Sequence, residues 1–376
     1  MSDRFHVLIL SVGSLLGQNL LDALEGRRPR LRVTGIDSNS ENPRVFRCDK
    51  AYRAPQTESP DFQSFLRRLI ETEKPDLVLA GRDHDVLALA ELVRSAPQLR
   101  HRIPGGSVEA ARIMNDKGLS HRFAQEYNLP FAQSFLLETG MADTARVWAQ
   151  RCGFPIVAKP REGYGSLGIR VICDEVQFEA FLRRHTTGFL LQQMVDVSDA
   201  WRRQIAEFRL DAETGIPFFF HIPEENQFAG QTLIRPDGTV GTVFTSRSLM
   251  VLGRPERTVR WDDPALAATT RAFAGAISAA GWRGLFNLQC RRTPDGYVGI
   301  EMNGRMTGST SSRGYLGYDE LRVVIREFCQ IDIGPDERYG TDGGGTVYRS
   351  HTDYFVSDRD KQALNETGVW LRASTP

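Results

Sequence analysis

The chain has 376 residues, 41% of them hydrophobic, with Lys plus Arg equal to Asp plus Glu at 47 each. That length exceeds one ordinary core and calls for two or three domains. The balanced charge argues against a dedicated nucleic-acid or membrane-surface protein.

The N-terminal "MSDRFHVLIL" lacks a signal peptide's apolar core and cleavage site, and no apolar run is long enough to span a bilayer. Cys48, Cys152, Cys173, Cys290 and Cys329 are scattered, with no CxxC or Cys/His cluster. A structural zinc or a disulfide framework is therefore not expected, and the reading is a cytoplasmic protein.

In chain order, "FHVLIL" at 5–10 reads as a buried parallel strand, and "SVGSLLG" turns into a helix that stops at Gly26. "LRVTGIDSNS" is a second strand and "PDLVLAG" at 75–81 a third. Helical patterns, "DFQSFLRRLIETE" and "DVLALAELVRSA", lie between and after them. This alternation is the mark of an open α/β sheet. "GRDHD" at 81–85 falls at a strand's C-terminal end, where such sheets place ligands. Arg82 or Asp83 could touch substrate there; a helix start capped by Asp is the competing reading. "RHRIPGGS" at 100–107 marks a boundary.

Two short helices follow, ending near Asn128. "FPIVAKPREGYGSLGIRVI" then reads as two strands around a glycine loop, and "GFLLQQMV" as another strand. β-type runs dominate to about residue 250. A helix starts at Asp-Asp-Pro and stops at Gly281. A hairpin and the helix "DELRVVIREFCQ" complete the pattern.

Two segments carry chemistry. "GYGSLG" (Gly163, Gly165, Ser166, Gly168) matches GxGxxG, but strand signals rather than a helix follow it. A strand–glycine loop–strand lets backbone N–H groups approach phosphate oxygens. Lys159, on the incoming strand, is placed to meet a phosphate as a point charge. The competing reading is a flexible hairpin beside a surface lysine.

The second segment is "RRTPDGYVGIEMNGRMTGS". Pro294-Asp295-Gly296 suits a three-residue loop with a bulge at glycine, pairing Thr293 with Tyr297. Gln289 then faces Glu301 and Asn287 faces Asn303. Period two puts Arg305 on the same face, with Leu288, Ile300, Met302 and Met306 on an apolar one. The oxygens of Gln289, Glu301 and Asn303 suit Mg²⁺ completed by phosphate, and Arg305 could hold a phosphate or acyl phosphate. A solvated polar face is the alternative.

In this order and spacing, "NDKGLSHRFAQEYNLP", the glycine-loop segment, "FLLQQMV" and "FNLQCRRTPDGYVGIEMNGRMTGS" resemble the ATP-grasp superfamily. The likeness is to the branch of the carbamoyl-phosphate synthase large subunit and related carboxylate–amine ligases, up to about residue 330. The resemblance implies an open parallel α/β domain at 1–105, then a two-subdomain ATP-grasp fold. Its small subdomain would take 106–190 and its large one 191–335, with an extension at 336–376.

The resemblance also implies that Lys117, Lys159 and Gly163–Gly168 meet ATP phosphates and that Gln193 and Val195 recognise adenine. Gln289, Glu301 and Asn303 would hold Mg²⁺, with Mn²⁺ as substitute. Arg305 would steady the transferred group, with Arg247 as a second arginine. Glu207 fits the ribose-contacting acid by local pattern, Gln231 by spacing.

Three departures stand out. Gln193 replaces a frequent Glu. "NGR" replaces "NPR", which is expected to loosen the backbone at Gly304. Residues 197–230 are longer than needed; an added hairpin near the substrate, carrying Glu224, Glu225 and Asn226, competes with the favoured reading of a surface loop.

The implied activity is ATP-dependent joining of a carboxylate to an amine through an acyl phosphate. The partners would be small molecules, not nucleic acid or membrane, with a homodimer left open. Two other classes compete: an ATP-binding regulatory protein without turnover, and a nicotinamide-dependent oxidoreductase using residues 8–37.

Overall fold

The computed structural model describes residues 4–163, 168–196, 199, 203, 224–251, 253–339, 344–350 and 356–372. The alternation of β1 (Phe5–Ile9) buries both of its faces. Val7 and Ile9 enter one apolar cluster and Leu8 another. Such two-sided burial belongs to a parallel sheet covered by helices.

β1 pairs in parallel with β2 (Leu31–Asp37) and β4 (Leu77–Leu79), and β2 with β3 (Lys50–Arg53). The strand "PDLVLAG" is thus the fourth; β3 escapes sequence reading because its four residues include Lys50 and Arg53. Helices α1 (Leu15–Leu24), α2 (Phe62–Glu73) and α3 (Asp83–Ser95) connect and cover the sheet. The chain leaves β1 on one side and returns to β4 on the other. The crevice beyond these two strand ends is where an open α/β sheet takes ligands.

A second, antiparallel sheet has the order β5-β8-β6-β7. It comprises β5 (Ser134–Leu137), β6 (Ile156–Pro160), β7 (Arg170–Ile172) and β8 (Phe189–Gln193). Phe178, Phe181 and Leu182 of α7 (Glu175–Arg184), with Ala145 and Ala149 of α6 (Ala142–Cys152), cover one face. β6 and β7 are antiparallel, so the glycine stretch joins strand to strand. Gly165 and Ser166 lie outside the described residues.

The third sheet has six strands in the order β13-β12-β9-β10-β11-β14. They are β9 (Glu224–Ile234), β10 (Phe244–Val251), β11 (Arg254–Arg260), β12 (Gly284–Thr293), β13 (Gly296–Asn303) and β14 (Thr346–Tyr348). α8 (Pro264–Ala279) starts as expected, with the Asp263 side chain accepting from Ala265 and Leu266 N–H groups. Its Phe273 and Ile277 pack with Phe286 and Leu288.

α4 (Val108–Asn115) and α5 (Lys117–Glu126) send Met114 and Phe123 into this same core. Packing therefore joins residues 108–126 to the six-stranded layer, although the expected division groups them with the glycine loop. The expected cut at 190/191 crosses β8. α9 (Thr310–Tyr315) leads to α10 (Glu320–Cys329), whose Leu321, Val324 and Phe328 pack into the cluster holding Val7 and Ile9.

The tail stitches two layers. β14 pairs with β11, and after α11 (Asp358–Thr367) β15 (Val369–Leu371) pairs with β3. Each addition covers a sheet edge. No helix among the described residues is long and apolar enough to cross a membrane.

Candidate functional site

The β12–β13 hairpin closes one residue earlier than its turn chemistry predicts. Thr293 pairs with Gly296 and Arg292 with Tyr297, not Thr293 with Tyr297. The bulge expected at the tip lies farther in. Cys290 pairs with Gly299 and Gln289 with Glu301, which leaves Ile300 as the extra residue. The two differences cancel, so Gln289 faces Glu301 and Asn287 faces Asn303 as expected. Ile300 is not part of the apolar reverse face: it lines the cavity.

That cavity, about 380 Å³, opens between the three layers. Lys159 reaches it from β6, buried, donating from Nζ to Gln192 Oε1 at 2.6 Å and to the Ile300 carbonyl at 3.3 Å. Burial lowers its pKa to about 8, with Lys117 and Arg291 acting in the same direction against Glu301.

Lys117 opens α5 and donates to the Gly163 carbonyl at 3.2 Å. It is held by Asp116, which caps the helix and pairs with Arg161 at 2.5 Å. Gln193 and Val195 also line the cavity, beside the apolar Val157, Ile169 and Val171. Gly168 is described but does not line it.

On the six-stranded sheet, Gln227, Gln289 and Glu301 line the floor, and Gln227 Nε2 donates to Gln289 Oε1 at 3.1 Å. Asn303 lies behind this wall, in register with Asn287 and Gln231 across three strands, with its Nδ2 lacking a partner. Gln231 is 1% exposed and both its amide atoms lack partners.

Glu224, read from sequence as part of a surface loop, starts β9 instead. It lines the cavity, pairs with Arg291 at 3.1 Å through Oε1, and leaves a buried Oε2 without a partner. Glu207 lies outside the described residues. Gln192 and Arg291 escaped sequence reading; only the order of the strands brings them to one cavity with Glu224.

The arginines divide. Arg305 lines the cavity but grips Asp83 in a two-pronged pair, Nε to Oδ1 at 2.6 Å and Nη2 to Oδ2 at 2.9 Å. Asp83 thus joins the N-terminal layer to the site. Asp85, not Asp83, caps α3, accepting from Gly81 and Arg82 N–H groups. Arg313 is bonded to Glu320 at 3.1 Å.

Arg247 does not reach the cavity. Ser246 and Ser248 line it, so the intervening residue faces the other way. Its guanidinium lies over Phe228 and Trp261, 5.9 and 5.7 Å from the ring centres.

Gly304 is not a loosened joint either. A Cβ there would come within 2.5 Å of Met114 and 2.7 Å of the Trp282 ring, so glycine is what lets these side chains close over the strand end. Nor is Asp37 available to a ribose: its Oδ2 accepts from Gly13 N–H at 2.8 Å and its Oδ1 from Asn39 N–H at 2.9 Å. The N-terminal turn is closed on itself.

Among the described residues no three His, Cys, Asp or Glu side chains gather as a metal cluster. The Gln289–Glu301 pair supplies one carboxylate and one carboxamide. That donor set fits Mg²⁺ when phosphate and water complete the shell.

Residues 116–190 match the family described as carbamoyl-phosphate synthase L chain, ATP binding domain. The chain is 25% identical over 323 residues to the carbamoyl phosphate synthase large chain of Clostridium perfringens, covering 82% of this chain and 28% of that one. It therefore spans under a third of that relative's length.

Among solved structures, N5-carboxyaminoimidazole synthetase from Staphylococcus aureus, complexed with ADP, superposes with a TM-score of 0.63 at 13% identity, covering 87% of this chain and 78% of that one. L-amino acid ligase from Bacillus licheniformis superposes with a TM-score of 0.60 at 17% identity, covering 87% and 75%. Residues 116–190 thus match that ATP-binding domain, and most of the chain shares the fold of these solved structures.

Proposed function

We propose that the protein is an ATP-dependent ligase that activates a carboxylate as an acyl phosphate and joins it to an amine. One observation carries the reading: Lys117 and Lys159 line one cavity together with Gln289 and Glu301, which come from another layer. Cations and oxygen ligands around one space suit a nucleotide polyphosphate and its Mg²⁺.

The substrate carboxylate attacks the γ-phosphorus, and ADP leaves. The amine then attacks the acyl carbon, phosphate leaves, and the amine gives up a proton. Mg²⁺, when bound, neutralises phosphate charge. Glu301 and Gln289 would hold it, with Asn303 behind them. Lys117 and Lys159 hold phosphates, Arg305 is oriented by Asp83 toward the transferred group, and Gln193 with Val195 borders the base. Positioning and electrostatics do the work, so no nucleophilic side chain is needed.

We assign the ribose contact to Glu224, which lines the same cavity as Gln193 and Val195 and has a buried Oε2 without a partner. The four-stranded layer with the glycine loop would close on the six-stranded one. The closed N-terminal turn at Asp37 speaks against the nicotinamide reading.

The test is ADP and phosphate release across a matrix of acids and amines, with mass spectrometry of the products. ADP formed in step with a condensed product supports the ligase. ATP binding with no acid-dependent ADP would sink it in favour of a nucleotide-binding protein without turnover. The family relatives' substrates do not define this chain's, so amino acids and peptides belong in the matrix with other acids.

A further inference from the structure

The three arginines that line the cavity are each neutralised from within: Arg305 by Asp83, Arg313 by Glu320 and Arg291 by Glu224. Just outside the lining the pattern reverses. Leu15, Pro255 and Gly308 form the cavity's lip, and a Cβ on Gly308 would lie 3.4 Å from Pro255 and 3.6 Å from Leu15.

Two guanidiniums are anchored to this lip by carbonyls alone. Arg44 donates from Nη1 to the Gly13 carbonyl at 2.6 Å, two residues before Leu15. Arg349, brought by the segment after β14, donates from Nε to the Pro255 carbonyl at 2.9 Å and from Nη2 to the Gly308 carbonyl. Arg254 precedes Pro255 and is exposed. None of the three is ion-paired among the described residues, although the chain has as many acidic as basic residues.

Burial lowers the pKa of Arg44 and of Arg349, and in both the like charge of Arg254 acts in the same direction. Asp22 acts against this on both, Asp37 on Arg44 and Glu256 on Arg349, but Asp22 is bonded to Arg47 at 2.8 Å and none of these carboxylates is ion-paired with the three guanidiniums. Three neighbouring cations without an ion-pair partner among the described residues repel one another, and an anion would relieve that.

We propose that Arg44, Arg254 and Arg349 form an anion subsite at the lip of the cavity, which takes a charged distal group of the substrate, a carboxylate or a phosphate. Only the word substrate rests on the ligase reading. The subsite shares no residue with the Lys117–Lys159 pair, and it draws on the N-terminal layer, the β10–β11 turn and the C-terminal tail together. Anions recognised here would be long enough to reach from the lip to Arg305.

The test needs no turnover. Inorganic phosphate and succinate are titrated separately into the full chain by calorimetry, without nucleotide or Mg²⁺ and at constant ionic strength. The variants are R254Q, R254E and K117Q. Because Arg254 is exposed, its replacement leaves the fold in place. R254Q should weaken binding roughly tenfold and R254E abolish it, while K117Q leaves this binding event unchanged.

The anion bound more tightly by the wild type identifies the distal group. Equal binding by wild type, R254Q and R254E would overturn the proposal, as would loss of binding in K117Q alone or no binding of either anion to the wild type. If these anions bind as expected but no acid yields ADP, the subsite stands and the ligase reading falls.

Discussion

The ammonium of Lys159 donates to the main-chain carbonyl of Ile300 at 3.3 Å, and Ile300 is the residue that β13 holds in excess of β12. A bulge turns a backbone group out of the ladder. Here the freed carbonyl reaches the four-stranded layer and holds the lysine between two sheets.

Burial sets the first prediction. The folded pKa of Lys159, about 8, lies below its ordinary 10.5. The charged form is therefore penalised in the folded state below about pH 8, and the penalty is relieved as pH rises toward 10.5. Compared with Lys159→Met, the wild type should gain roughly 3 kcal/mol of relative stability between pH 7 and pH 10. Urea unfolding at the two pH values checks this. ATP binding near pH 8.5 should also take up protons, measurable by calorimetry in buffers of different ionisation enthalpy.

Glu301 provides the one carboxylate facing Gln289. Glu301→Gln keeps size and strand pairing, so the melting temperature should stay near the wild-type value. ADP formation at saturating ATP should fall on the order of a hundredfold, with the Mg²⁺ requirement moved to higher concentration. Steady-state ADP release across a Mg²⁺ series measures both.

Glu224 has a buried oxygen without a partner and lines the cavity that Gln193 and Val195 also line. Glu224→Gln should raise the KM for ATP roughly tenfold while leaving kcat near wild type, and should reduce discrimination between ATP and 2′-deoxy-ATP. Equal discrimination in both proteins would remove Glu224 from the ribose.

The Asp83–Arg305 pair is largely buried, with side-chain exposures of 14% and 9%. Asp83→Asn leaves the Arg305 charge uncompensated and should cost about 3 kcal/mol. A double-mutant cycle with Arg305→Met should return a coupling of at least about 1 kcal/mol.

Arg247 provides the contrast. It covers Phe228 and Trp261 on the face away from the cavity. Arg247→Met should cost about 1 kcal/mol of stability and leave kcat and KM for ATP within about twofold of wild type.

How far the chain could be read in advance depended on the range of the signal. β1, the hairpin face and the helix start at Asp263 are local patterns, where period and capping chemistry act within a few residues. The pairing of Gln289 with Glu301 was legible, yet through two errors that cancel: a turn one residue shorter and a bulge one residue longer than the tip predicts. A bulge has no compositional mark of its own, because its cause is the neighbouring layer. Gly304 misled for the same reason: its requirement comes from Met114 and Trp282, distant in sequence.

By itself, then, the sequence determined the strands with strong apolar patterns, which face of the hairpin is polar, and which family the motifs resemble. Tertiary structure decided which charges are free. Arg305 read as an available cation until Asp83 folds against it. Arg247 read as a ligand until β10 turned it outward, and Glu224 read as surface until β9 carried it into the cavity. Charge availability depends on what lies within a few ångströms, and in this chain those neighbours are as far apart in sequence as Asp83 and Arg305.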